Sequence, residues 1–155
     1  MTNKIHYTLE DFEKTVDGFG YYTHAYDNII LFSIYQGSLA LCSRLSKQYN
    51  LPHSILKFQH MDGDDKEVTI LYDALGNPNN YEKKQIFLVD DIYDTGKTID
   101  KCLEFLEKNY PLANINVFCI FANIETLKKN GYKHNIKYEH KHDGTWVQFE
   151  PWEGK

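Results

Sequence analysis

The 155-residue chain has a single arginine, Arg44, and no run of basic residues. With a formal net charge of −5 it lacks the means to neutralise several phosphates at once, so nucleic acid is not an expected partner. The same scarcity means that any small anion must be held by lysines, hydroxyls and backbone N–H groups, because two-pronged guanidinium clamps are almost absent. Cysteine is scarce too. Cys42, Cys102 and Cys119 are odd in number, far apart and set in apolar surroundings, which argues against a disulfide framework or a zinc site and reads as buried reduced thiols. No apolar run approaches the length of a membrane span. The first residues, among them Thr2, Asn3, Lys4 and His6, do not follow the basic-then-apolar order of a secretory signal. A cytoplasmic location with no membrane partner is therefore expected.

Hydrophobic residues make up 42% of the chain and charged residues 25%, the composition of a globular protein whose length suits one domain over 1–155. Thr8 followed by Asp11 reads as a helix start, with Leu9, Phe12 and Val16 at helical spacing, and Gly18 and Gly20 are expected to end that helix near residue 18. Residues 28–34 form a short continuous apolar run, the pattern of a strand covered on both faces. The turn at 35–38 leads into a helix carrying Leu39, Leu41, Cys42 and Leu45 that stops near Asn50. Residues 54–59 and 67–72 read as two strands joined around Asp62-Gly63. Residues 85–89 are the most strand-like segment, with Asp90 and Asp91 at its carboxyl end, and a helix over 96–109 puts Ile99, Cys102, Leu103 and Leu106 on one face. A buried strand at 115–122, a short helix at 125–130 and strands at 136–139 and 145–149 complete the pattern. Strands alternating with helices predict an α/β domain with a largely parallel central sheet flanked by helices, which binds ligands at the carboxyl ends of its strands. The turns at 35–38 and 90–98 both lie at that edge.

The segment Asp90-Asp91-Ile92-Tyr93-Asp94-Thr95-Gly96-Lys97-Thr98 carries the chemistry. At a helix start, the free N–H groups of residues 95–98, their hydroxyls and the helix dipole form a cradle for a phosphate, and Gly96 lets the backbone come close. Asp90 and Asp91 can accept hydrogen bonds from the hydroxyls of a sugar, or hold magnesium through water as hard oxygen ligands. Asp94 would then point across the anchored sugar. The alternative is a plain core strand whose acids cap the next turn. A nucleotide-binding P-loop, suggested by Gly96-Lys97-Thr98, is ruled out by spacing: the required glycine five positions earlier is Asp91.

From its four apolar residues through Asp90-Asp91 to Asp94-Thr95-Gly96-Lys97-Thr98, the segment resembles the phosphoribosyl pyrophosphate signature of the type I phosphoribosyltransferases. The order of elements resembles the short bacterial xanthine-guanine (6-oxopurine) enzymes, and Thr145-Trp146-Val147 with Pro151-Trp152-Glu153 echoes their C-terminal pattern. The resemblance implies the type I phosphoribosyltransferase fold with a lid hairpin at about 57–70 and a small base-binding hood at about 132–155. It also implies magnesium-dependent transfer of ribose 5-phosphate from phosphoribosyl pyrophosphate to a purine base in a homodimer or homotetramer. Thr95, Gly96, Lys97 and Thr98 would hold the 5-phosphate, Asp90 and Asp91 the ribose hydroxyls and magnesium, and Asp94 the purine proton in catalysis. Trp146 would stack on the base, the Val147 backbone would meet its edge, and Glu153 would be a terminal acid near the metal. A core role for Trp146 is the alternative.

Three positions depart from the family pattern. The pyrophosphate loop reads Tyr35-Gln36-Gly37-Ser38 where a cation usually precedes the glycine, which leaves the Gly37 and Ser38 N–H groups to serve and magnesium or a neighbouring subunit to compensate. Asn123 follows Phe121-Ala122 where the purine enzymes carry a lysine for the 6-oxo group, and an asparagine can donate to a carbonyl or accept from an amine. The lid reads Lys57-Phe58-Gln59 instead of Ser-Tyr, and its tip at 60–66 is expected to close over the site. Two other readings remain: a regulatory protein of the same fold that binds phosphoribosyl ligands without turnover, and a transferase for a non-purine base. His140-Lys141-His142-Asp143 is expected to be a solvated turn and not a metal site.

Overall fold

The computed structural model describes residues 3–60, 66–131 and 136–154. A six-stranded sheet has the order β4-β3-β2-β5-β6-β7, built from β2 (Ile29–Tyr35), β3 (His53–His60), β4 (Lys66–Tyr72), β5 (Gln85–Tyr93), β6 (Asn114–Asn123) and β7 (Ile136–His142). All neighbours pair in parallel except β3 and β4, the two legs of the expected lid hairpin. The tip of that hairpin at 61–65 lies outside the described residues.

Alternation along the central strands feeds two separate cores. On β5, Ile86 and Leu88 join α3 (Lys97–Asn109) through Ile99, Cys102, Leu103 and Leu106 on one face. Phe87 and Val89 point the other way, into the core shared by α1 (Leu9–Ala25) and α2 (Leu39–Tyr49). This is why β2 and β5 read as unbroken apolar runs: a strand covered on both faces has no polar side to alternate with. Each large apolar side chain buried this way contributes about 1.5–3 kcal/mol.

The first helix starts where expected and ends later. The Thr8 hydroxyl accepts the Asp11 N–H at 3.1 Å and the Thr8 N–H donates to the Asp11 carboxylate at 2.9 Å, a reciprocal cap. The helix then runs through Gly18 and Gly20 to Ala25. A glycine costs a helix only about 1 kcal/mol relative to alanine, and packing of Phe19 and Tyr22 against Phe87 and Phe118 outweighs that. Gly20 also makes room: a Cβ there would lie 3.0 Å from the Tyr49 hydroxyl, which donates to the Val16 carbonyl at 2.6 Å.

A second, two-stranded sheet pairs β1 (Lys4–Tyr7) in parallel with β8 (Trp146–Phe149). With the short helix α5 (Glu150–Glu153) it forms a small layer at the C-terminal end, where Trp152 stacks on Phe149 with centroids 4.8 Å apart. The expected hood at about 132–155 is thus divided. Residues 136–142 extend the main sheet as its edge strand, β1 supplies the partner strand from the other end of the chain, and 132–135 and 155 lie outside the described residues. No helix among the described residues is long and apolar enough to cross a membrane.

Candidate functional site

The acids belong to β5 itself, which continues past Val89 to Tyr93. Pairing with β2 stops at Val89, whereas pairing with β6 goes on to Tyr93 and Ala122. One edge of β5 is thereby uncovered at Asp90 and Asp91, and the 35–38 turn lies across it. A Cβ on Gly37 would sit 3.3 Å from a carboxylate oxygen of each acid. Asp90 is only 8% exposed, and its carboxylate accepts the Asp91 N–H at 2.9 Å, while that of Asp91 accepts the Ile92 N–H at 2.8 Å. Burial pushes both carboxyl groups above their ordinary range, and the Asp91 charge raises Asp90 further.

Neither acid forms an ion pair among the described residues. Two desolvated carboxylates without a counter-charge suit a hard divalent cation or a sugar diol, and magnesium takes one or two carboxylates with water and phosphate oxygens filling its other positions. Glu153 does not join them as a third ligand. Its carboxylate accepts the Phe149 N–H at 3.0 Å, and no cluster of three potential ligand side chains exists among the described residues, although its charge still contributes to raising Asp91.

The turn after β5 has a different construction. Gly96 takes the left-handed conformation at φ 83° as the N-cap of α3, and a Cβ there would lie 2.5 Å from the Tyr93 hydroxyl. That combination leaves no other residue at this position. Tyr93, a floor for the turn that the sequence does not signal, is held by the Asn130 amide, which donates to its hydroxyl at 2.9 Å. No side chain caps α3, and a cleft of about 120 Å3 opens there, bounded by Asp90, Tyr93, Asp94, Thr95, Gly96 and Thr98. Lys97 is exposed and does not line it.

The turn after β2 offers less to an anion than expected. The Tyr35–Gln36 peptide bond is cis, and the Gln36 amide donates to the Tyr35 hydroxyl at 3.1 Å. Ser38 is 1% exposed. Its hydroxyl accepts the Ile34 N–H at 2.9 Å and its own N–H donates to the Ile34 carbonyl at 3.4 Å. Ser38 therefore closes the end of β2, and its N–H, expected to face pyrophosphate, is engaged.

Asp94 is exposed at the mouth of the cleft and accepts a hydrogen bond from the Asn123 amide at 2.9 Å. Asn123 ends β6 and caps α4 (Ile124–Lys129), its carbonyl accepting the N–H groups of Glu125 at 3.1 Å and Thr126 at 3.4 Å. A wider cleft of about 640 Å3 lies on its other side, lined by Asn123, Ile5, Lys128, Lys141 and His142 among others. Trp146 is 63% exposed, so its ring is free to serve as a platform; the tryptophan that packs against the core is the partly buried Trp152. Val147 is 4% exposed and pairs with Ile5 in the two-stranded sheet.

His140 and His142 are not in a turn. Both belong to β7 and pack near Phe121 with ring centroids 5.1 and 6.0 Å away, and His142 is buried.

Comparison with known proteins bears on the fold and the family. The family model described as phosphoribosyl transferase domain matches residues 9–151. A hypoxanthine-guanine phosphoribosyltransferase of Schistosoma mansoni is 32% identical over 66 residues, a stretch covering 43% of this chain and only 22% of that protein. The purine phosphoribosyltransferase of Pyrococcus horikoshii shares the fold with a TM-score of 0.74 at 20% identity, over 98% of this chain and 95% of the other. The xanthine-guanine-hypoxanthine phosphoribosyltransferase of Helicobacter pylori does so with a TM-score of 0.76 at 18% identity, over 97% and 94%. With the family model matched over nearly its whole length, this chain belongs to the phosphoribosyltransferase family.

Proposed function

We propose that the chain transfers a ribosyl 5-phosphate group from phosphoribosyl pyrophosphate to a 6-oxopurine, hypoxanthine, guanine or xanthine, releasing pyrophosphate in purine salvage. The observation that carries this is the close approach of the Gly37 turn to Asp90 and Asp91 while the Gly96 cleft opens beside Asp90. Sites for pyrophosphate, ribose and 5-phosphate thereby adjoin at one sheet edge. The names of the similar Helicobacter pylori and Schistosoma mansoni enzymes support a 6-oxopurine as acceptor.

In this reading the turn of Thr95, Gly96, Lys97 and Thr98 holds the 5-phosphate through backbone N–H groups and hydroxyls. Asp90 and Asp91 hold the ribose hydroxyls and, through water, magnesium. Bound magnesium would offset the charge of the departing pyrophosphate. The bond from the anomeric carbon to pyrophosphate oxygen breaks as the bond to the purine nitrogen forms, with oxocarbenium character between. Asp94 accepts the proton that the purine gives up. Trp146 stacks on the base and the Val147 backbone meets its edge. The protein acts in the cytoplasm as a homodimer or homotetramer.

The test is pyrophosphate release from phosphoribosyl pyrophosphate and magnesium, with hypoxanthine, guanine, xanthine, adenine and uracil supplied separately. Release with one or more of the first three is expected. The absence of a cation from the 35–38 turn favours a second reading, a protein that binds phosphoribosyl ligands without turnover. Silence with all five bases, while phosphoribosyl pyrophosphate raises the melting temperature, would select that reading. Release with uracil alone would assign a non-purine acceptor.

A further inference from the structure

The short helix α4 is flanked by two asparagines, and each reaches back to the same stretch of chain. Asn123, at its start, donates from its side-chain amide to the Asp94 carboxylate at 2.9 Å. Asn130, at its end, donates to the Tyr93 hydroxyl, also at 2.9 Å. Residues 93 and 94 are consecutive and lead directly into the turn at Gly96. α4 therefore holds the approach to that turn from both of its ends.

Tyr93 is the deeper of the two attachments. Its side chain is 1% exposed and packs in the core that includes Ile99 of α3 and Leu127 of α4. A phenylalanine would fill that volume without needing a partner, whereas a buried hydroxyl costs free energy unless it is bonded. The oxygen is also the atom nearest to Gly96: a Cβ built there would lie 2.5 Å from it and 2.7 Å from the ring carbon that carries it. Gly96 holds a left-handed φ of 83°, and glycine is the residue with the most backbone freedom to lose. A turn left free must give up that freedom when a ligand arrives, and the loss subtracts from affinity. The Tyr93 oxygen occupies the space beneath Gly96, and Asn130 keeps the oxygen there.

We propose that Tyr93 and Asn130 are positioning residues: the Asn130 amide fixes the Tyr93 hydroxyl beneath Gly96, and α4 thereby keeps the 95–98 turn in the conformation that receives the 5-phosphate. Both act through Gly96 and not on the reacting atoms. This rests on the reading of that turn as the 5-phosphate site. The pyrophosphate half of the substrate lies outside their reach, because the 35–38 turn makes its close approach to Asp90 and Asp91 instead.

Tyr93→Phe removes one oxygen and keeps the ring. Asn130→Ala removes the brace at an exposed position, so the core is left intact. The parent chain, both variants and the double variant would be titrated by calorimetry with magnesium and phosphoribosyl pyrophosphate, and separately with magnesium pyrophosphate. Tyr93→Phe should weaken phosphoribosyl pyrophosphate by roughly tenfold, and Asn130→Ala by roughly threefold, because water can take the place of its amide. The double variant should be no weaker than Tyr93→Phe, since both substitutions break one chain of contacts. Affinity for magnesium pyrophosphate should stay within about twofold throughout. In turnover with the best base, the KM for phosphoribosyl pyrophosphate should rise by the same factors while kcat stays within about twofold, the pattern of lost binding that ground and transition states share.

Unchanged affinity for phosphoribosyl pyrophosphate in Tyr93→Phe would overturn the proposal. So would equal losses for both ligands, the mark of a residue that only supports the fold. Losses that multiply in the double variant would show two side chains acting separately and would sink the brace. A parent that binds phosphoribosyl pyrophosphate but transfers no base would overturn the transferase reading, while the titration still decides the role of Tyr93. A parent that binds neither ligand would overturn both.

Discussion

Two turns leave the sheet at the same edge, each after a buried strand, each with one glycine, and each leading into a helix. They are built for opposite purposes. In the turn at 35–38 the polar groups look inward: Ser38 bonds back to Ile34, and Gly37 is pressed against the carboxylates of Asp90 and Asp91. In the turn at 94–98 less is closed off: the Thr95 hydroxyl accepts the Lys97 N–H only at 3.5 Å, Asp94 accepts from the Asn123 amide, Gly96 is left-handed above the Tyr93 hydroxyl, and a cleft opens at the helix start. The first turn covers an acid pair, and the second leaves a cleft open at a helix start, where the proposed reading seats the 5-phosphate. A glycine in a loop next to a helix is therefore not enough to mark a phosphate site. What marks it is whether the surrounding donors are already bonded.

The comparison is tested most severely at Asp94, which stands on the open side. Asp94→Asn should lower kcat by roughly 10²–10⁴, the usual range for removing a general acid or base, while calorimetry shows phosphoribosyl pyrophosphate bound nearly as before. A loss of binding equal to the loss of turnover would move Asp94 from the chemistry to the cradle. Next comes Gly96→Ala. The added carbon would clash with Tyr93 and force a left-handed alanine, and local strain of this kind costs about 1–3 kcal/mol. Displacing the cradle should weaken 5′-nucleotide binding by roughly a hundredfold, each tenfold being about 1.4 kcal/mol. Gly37→Ala should do less and do it selectively. Its new contacts at 3.3 Å are tight without being prohibitive. Affinity for magnesium with phosphoribosyl pyrophosphate should fall by roughly tenfold, with 5′-nucleotide binding changed by less than about twofold in the same titration. Equal losses for both ligands would erase the distinction between the two turns.

Much of this site was legible because it is local. Four apolar strand residues, a pair of acids and, three residues on, a Thr-Gly-Lys-Thr turn lie within one short stretch of chain, and local order dictates that they meet. The same holds for Thr8 and Asp11 at the first helix start. What escaped was non-local. Lys4–Tyr7 is a strand because Trp146–Phe149 lies beside it, and nothing in Lys-Ile-His-Tyr announces that partner. Gly18 and Gly20 looked like a helix end, yet tertiary packing of Phe19 and room for Tyr49 outweigh two modest propensity penalties. The inward bonding of Ser38, the floor made by Tyr93 and the cap made by Asn123 all depend on groups met only after folding. Residue type announced the chemistry available, and orientation decided which part of it remains open to a ligand.

The smallest effect concerns the acids beneath the first turn. Burial raises the carboxyl groups of Asp90 and Asp91 above the ordinary aspartate value of 3.8, so the folded protein holds protons there more tightly than the unfolded chain does. In linkage terms the native state binds more protons over that window, and stability falls as pH rises from near 4 toward the folded-state values. The acid pair therefore opposes folding at neutral pH, and a ligand-free protein should show it. Asp90→Asn removes the charge while keeping the shape, and should raise the melting temperature by a few degrees at pH 7, each ~1 kcal/mol being worth about 2–4 °C in a domain of this size. It should also flatten the fall of melting temperature as pH rises above the ordinary aspartate value, and abolish any further rise on adding magnesium with phosphoribosyl pyrophosphate. Gly96→Ala should leave that pH slope intact, because its turn does not touch the acids through buried charge. If Asp90→Asn instead lowers the melting temperature at pH 7, the ionised pair is stabilised by its backbone hydrogen bonds more than burial opposes it, and the first turn covers a structural acid instead of a site held ready for a cation.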